Sequence, residues 1–133
     1  MLFMCRFLGP EMKKRDKRSA IINMSSYYGT WNVYNMPIFS SAKSFQDVVS
    51  ETLGFENTDL DVLTVKALPP KSDRHPNGVD PAELVDGVLN DLGQQRVSYG
   101  HWKHSLFRHY YLFGLCSHYF GKSQQQFQSF RRW

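Results

Sequence analysis

The chain is 133 residues long, enough for one ordinary domain and too short for two. Its 41% hydrophobic and 21% charged residues fall in the globular range, which excludes disorder along most of its length. The formal net charge of +4 is unevenly spread, because residues 44–92 hold most of the acids, residues 93–133 hold none, and both ends are basic. No recognised nucleic-acid motif accompanies those ends, so nucleic acid is not an expected partner and the charge reads as solvated or as contact with anionic lipid headgroups.

Residues 2–18 begin apolar and end in "KKRDKR". They predict a helix with a basic last turn, favourable against the helix dipole, with Pro10 interrupting it or marking its exit. The opening apolar run is too short for a secretory segment, and its basic residues follow rather than precede it. "SAIINMSS" predicts a buried strand running into a loop. The loop from Tyr27 to Pro37 is rich in Tyr, Asn, Gly and Pro. Beyond it, Phe39, Ala42, Phe45, Val48, Val49 and Leu53 recur at helical spacing, giving a helix over 38–53 with Gly54 as its stop. "DLDVLTVKALP", residues 59–69, predicts a second strand closed by Pro69 and Pro70, and "PKSDRHPNG" a polar loop. Asp80, Pro81 and Glu83 stand as N-cap, first helical residue and capping-box acid of a third helix that ends near Gly93.

From Val97 onward the chain turns aromatic and basic, and its apolar stretch "YYLFGLCSHYF" is interrupted and well short of the ~18 apolar residues that suggest a spanning helix. Cys5 and Cys116 form no C-x-x-C pair and read as reduced, cytosol-facing thiols. His101, His104, His109 and His118 crowd the aromatic segment. H-x-x-H without a partnering Cys or Glu is a weak ligand pattern, so amphipathic packing is expected there and no metal. The alternation of helix and strand predicts an α/β layer around a small parallel sheet. Residues 1–96 would form that domain, and residues 97–133 an aromatic, basic extension suited to a membrane interface.

Ser26, Phe39 and Lys43 carry the chemical question. Lys43 lies four residues after position 39, one helical turn on and on the same face, while Ser26 follows the first strand at the end where open α/β sheets bind ligands. Were position 39 a tyrosine, the three would be a proton donor, a cation lowering its pKa and a hydroxyl holding a substrate oxygen.

This spacing, Ser26 thirteen residues before the "FSSAK" of residues 39–43, resembles the short-chain dehydrogenase/reductase superfamily, whose signature is a serine followed by Tyr-x-x-x-Lys. "PEMKKRDKRSAIINMSS" and "LTVKALPP" are similar to the family's flanking strand segments. "DPAELVDGVLNDLG" with "SYGHWKHSLF" is similar to the C-terminal region of the branch containing 17-beta-hydroxysteroid dehydrogenases and very-long-chain 3-oxoacyl-CoA reductases. The resemblance implies the C-terminal half of a Rossmann-like, doubly wound parallel sheet, and NADP(H) as cofactor, with Lys43 and Pro69 on the cofactor side. It also implies a place on the cytosolic side of the endoplasmic reticulum membrane, and homo- or hetero-oligomers formed through helices 2–18 and 38–53. Membrane-surface contact is expected of the tail.

Three departures from that pattern bear on activity. Phe39 stands where the proton-donating tyrosine is expected, and losing a general acid typically costs about 10²- to 10⁴-fold. None of the nine glycines forms a G-x-G turn, and the family's asparagine would fall just before Met1. Beyond Pro69 the nicotinamide-contacting threonine is missing, with only Ser72 nearby. Tyr27, Tyr28 and Tyr34 are not expected to supply the hydroxyl, because Lys43 must sit beside it. The expectation is a homologue of an NADPH-dependent 3-oxoacyl-CoA or 17-beta-hydroxysteroid reductase, inactive by itself. The alternatives are a non-catalytic interaction module or a degenerate gene fragment.

Overall fold

The computed structural model describes residues 1–30, 33 and 35–110, with only the backbone of Tyr110. Tyr34, Cys116, His118 and most of "YYLFGLCSHYF" lie outside the described residues, as do the expectations that rest on them. The elements run α1 (Leu2–Lys13), β1 (Ser19–Met24), a 3₁₀ turn (Tyr27–Gly29), α2 (Pro37–Glu56), β2 (Leu60–Val65), α3 (Pro81–Asp91), β3 (Val97–Ser98) and α4 (Trp102–Tyr110). They belong to two compact units, Met1–His101 and Trp102–Trp133.

The three strands form one parallel sheet in the order β1-β2-β3, with Ser19 to Met24 in register with Leu60 to Val65. β2 sits in the middle and is buried along both faces, as its nearly unbroken apolar sequence requires of a parallel strand covered from both sides. Alternation along β2 sorts the helices. Leu63 and Val65 pack with Val88 of α3, while Val62 meets the buried side of α2, where a Cβ on Gly54 would touch its side chain. This is the partial Rossmann-like α/β architecture that the sequence predicts.

Several boundaries differ from expectation. The first helix ends at Lys13 rather than residue 18, because continuing it would stack Lys13 over Lys17 and Lys14 over Arg18 at helical spacing. It does pass through Pro10, an exposed residue whose missing N–H leaves the Arg6 carbonyl without its helical donor. α2 runs through Gly54 to Glu56. Its stop is Asn57, whose backbone and side-chain amides both donate to Leu53 O, at 3.1 and 2.7 Å.

The second strand is shorter than residues 59–69, ending at Val65. β3 falls in the stretch read from sequence as the start of the tail. It is only two residues long, too short to leave a periodic trace, and is held by Thr64 N donating to Arg96 O and Lys66 N to Ser98 O, each at 2.8 Å. α3 forms as predicted: Asp80 accepts from Ala82 N at 2.8 Å and Pro81 opens the first turn. Its packing depends on a close approach, since a Cβ on Gly87 would overlap the carbonyl of Gly100, itself at φ +67°.

Candidate functional site

Ser26, the residues around it and the first turns of α2 converge at the carboxyl end of β1. The strand pairing continues one residue past Met24, with Ser25 N donating to Val65 O at 2.9 Å, and then the chain turns. Ser26 is buried and caps the 3₁₀ turn, its Oγ accepting from Tyr28 N at 3.3 Å. Tyr27 is buried beneath that turn and meets Tyr99 edge-on, with ring centroids 6.4 Å apart. Its backbone N–H donates to Ala67 O at 3.2 Å, which draws the segment leading to Pro69 against the same corner.

Two serines then clamp the corner to α2. Ser25 Oγ donates to Lys43 O at 3.2 Å, and Ser40 Oγ donates to Tyr28 O at 2.6 Å. The approach is tight enough that a Cβ on Gly29 would lie 2.9 Å from the carbonyl carbon of Lys43, so this position admits only glycine without a shift.

Lys43 is tied down on the same corner. Its Nζ donates to Met24 O at 2.9 Å and to Gln46 Oε1 at 3.1 Å, and lies 5.7 Å from the centroid of the Phe39 ring. The structure thus brings Lys43 and Phe39 together, as their i, i+4 spacing predicts, and sets Ser26 two residues beyond the carbonyl that holds the ammonium. Phe39 is 39% exposed and lines an open apolar depression with Met36, Pro37, Ile38 and Ala42. A ring there offers a face to a cation or an apolar ligand, and no proton. Pro69 is half-buried, two residues past Ala67.

A second group of side chains escaped the sequence reading. Lys66, directly after β2, reaches Asp47 Oδ2 at 3.2 Å and Glu51 Oε1 at 3.3 Å on α2. The Lys66 and Asp47 side chains are only 13% and 8% exposed. Burial alone would lower the Lys66 ammonium, but Asp47, and after it Glu51, more than offset this and hold it above its ordinary 10.5. The signal was present in the sequence: a lysine ending a continuous apolar strand needs a carboxylate, and Asp47 and Glu51 lie one and two turns after Lys43. A separate cleft of about 260 Å³, lined by Asn57, Asp61, Gly93 and Arg96 among others, lies by the amino end of β2, away from Ser26 and Lys43. Among the described residues no three His, Cys, Asp or Glu side chains gather as metal ligands, and no helix is long and apolar enough to cross a membrane.

A nicotinamide dinucleotide needs groups at both ends. The resemblance would put Lys43 and the backbone near Pro69 at one of those ends, but Lys43 already donates to Met24 and Gln46. These 133 residues also contain no glycine-rich turn to cradle a pyrophosphate. The residues present do not by themselves fit the whole cofactor.

No protein-family model and no curated protein sequence matches this chain. Solved structures do. A short-chain dehydrogenase from Burkholderia cenocepacia J2315 in complex with NADP is similar at 21% identity and a TM-score of 0.70, over 87% of this chain and 51% of its own. A 7beta-hydroxysteroid dehydrogenase is similar at 19% identity and a TM-score of 0.65, over 84% of this chain and 46% of its own. The bulky-bulky ketone specific alcohol dehydrogenase of Comamonas testosteroni is similar at 19% identity and a TM-score of 0.64, over 95% of this chain and 48% of its own. The chain therefore spans about half the length of the solved structures it matches, and over that span it has the short-chain dehydrogenase fold.

Proposed function

We infer that this chain corresponds to the substrate-side half of an NADP(H)-dependent carbonyl reductase of the short-chain dehydrogenase type, and that it performs no carbonyl reduction by itself. The observation that carries this reading is the corner at the end of β1, where Lys43 is fixed one turn from position 39 by the carbonyl of Met24, two residues before Ser26, yet position 39 is phenylalanine. The spacing expected of a proton-donating site is kept and the proton is not. The NADP-bound neighbour supports the cofactor class, and the resemblance of residues 80–107 supports the 3-oxoacyl-CoA or 17-beta-hydroxysteroid branch. A setting at the endoplasmic reticulum rests on that branch resemblance, and membrane contact by the tail on the same resemblance and on the tail's aromatic, basic composition.

The test is an NADPH fluorescence titration of the purified chain, together with a 3-oxoacyl-CoA reduction assay of the wild type and Phe39→Tyr. Neither protein is expected to bind NADPH saturably or to turn over. Turnover by Phe39→Tyr alone would falsify the claim that this chain lacks a complete cofactor site.

A second reading, a non-catalytic interaction module, is favoured by Phe45, Val48 and Phe55, which stand exposed along α2. Self-association that is lost in Phe45→Glu, with the fold unchanged by circular dichroism, is its expected signature.

A further inference from the structure

Lys43 carries a charge that no acid among the described residues balances. Its Nζ donates to two neutral acceptors, Met24 O at 2.9 Å and Gln46 Oε1 at 3.1 Å, which leaves the third N–H of the ammonium over. Asp47 and Glu51 follow one and two turns later on α2, but Lys66 engages both, and Lys43 makes no ion pair among the described residues. Apolar surface begins directly beside this fixed, half-buried cation. The Phe39 ring, its centroid 5.7 Å from Nζ, lines an open depression of about 520 Å³ with Met36, Pro37, Ile38 and Ala42. Asn35 is the only polar residue among the described ones that line it. The volume falls within the roughly 300–1,000 Å³ typical of small-molecule sites.

We propose that this corner binds a fatty carboxylate non-covalently, with the headgroup on the remaining N–H of Lys43 and the chain along Phe39, Ala42 and Ile38. Charge selects this ligand. A neutral apolar molecule would fill the depression and leave the Lys43 charge unbalanced, whereas a carboxylate adds a charge-assisted hydrogen bond to the same apolar contact. Residues 111–133 contain no Asp or Glu, so their side chains do not supply the anion. This assignment rests on the reading of the corner as a substrate-side site without a proton donor. Phenylalanine at position 39 then carries the apolar wall up to the cation, where a tyrosine hydroxyl would interpose a polar group.

The experiment is isothermal titration calorimetry of the full chain with monomeric dodecanoate and with dodecanol, at low and high salt and without NADPH. One dodecanoate is expected to bind per chain, about tenfold more tightly than dodecanol, with the difference shrinking as salt rises. Lys43→Met should lower dodecanoate affinity about tenfold and leave that for dodecanol unchanged, while Lys43→Arg keeps the preference for the carboxylate. Ile38→Glu alters an 86% exposed side chain, so it should abolish binding of both ligands with circular dichroism unchanged. The comparison of the two ligands is made on the wild type and depends on no variant folding. Because no cofactor is present, a blank titration sinks the fatty-carboxylate site alone, and the NADPH titration tests the reductase reading by itself. Equal affinity for the two ligands would overturn the proposal. So would a Lys43→Met variant that binds dodecanoate as the wild type does, or a dimer in light scattering that Ile38→Glu dissolves while dodecanoate binding is nil.

Discussion

Lys66 shows how much of this small unit depends on single side chains. Its ammonium is nearly enclosed between β2 and α2, and removing it leaves the buried Asp47 carboxylate without its cation. Breaking such a pair from one side costs about 3–5 kcal/mol, so Lys66→Met should lower stability to urea by that order. The pH dependence follows from the direction of the shift. A lysine held above 10.5 contributes its full stabilisation below that value and loses it as pH rises through the elevated pKa, so wild type and Lys66→Met should converge only above about pH 10.5 in urea unfolding. Gly29 is sensitive for a steric reason. Gly29→Ala pushes a methyl against the backbone of Lys43, and overpacking of this kind costs about 1–3 kcal/mol, measurable as a lower urea midpoint.

At the scale of elements, caps decide where helices begin and stop. Asp80→Ala removes the acceptor for Ala82 N and should cost about 1 kcal/mol, without altering the sheet seen by far-ultraviolet circular dichroism. That cap was legible from sequence because its chemistry is local: an acid at the cap, a proline at the first helical position and a second acid three residues after the cap. The joint placement of Lys43 and Phe39 was legible for the same reason, since one helical turn fixes it. What escaped was non-local. Gly54 looks like a stop in isolation, yet Asn57 ends α2 and Gly54 instead lets the helix lie close to Val62. β3 exists because Thr64 and Lys66 need partners across the sheet, which two residues of sequence cannot announce. The Lys66 cluster joins residues of different elements, so the need for a carboxylate is legible at the end of β2 but its partners, Asp47 and Glu51, are fixed only by the packing of α2.

At the scale of the molecule, the described sheet is uneven. β3 is short, β2 is buried, and β1 pairs only with β2 among the described residues. Ile22 and Met24 are exposed on the face that α3 covers over β2 but does not cover over β1. An open parallel edge with apolar side chains invites pairing with another strand. Ile22→Lys should reduce concentration-dependent light scattering while leaving thermal stability within about 0.5 kcal/mol, as expected of an exposed substitution.

The parallel register of β1 and β2 also sets an order of assembly. Ser19 reaches Leu60 only across about forty residues, so closing that loop costs about 3 kcal/mol before any contact between the strands repays it. No hairpin is available to nucleate the sheet locally, because both strand pairs are parallel. The helices, with their local hydrogen bonds, form on a faster timescale than strand pairs so distant in sequence. The corner that holds Ser26, Phe39 and Lys43 therefore takes shape late, when β1 docks and Met24 offers its carbonyl to a lysine already in place on α2.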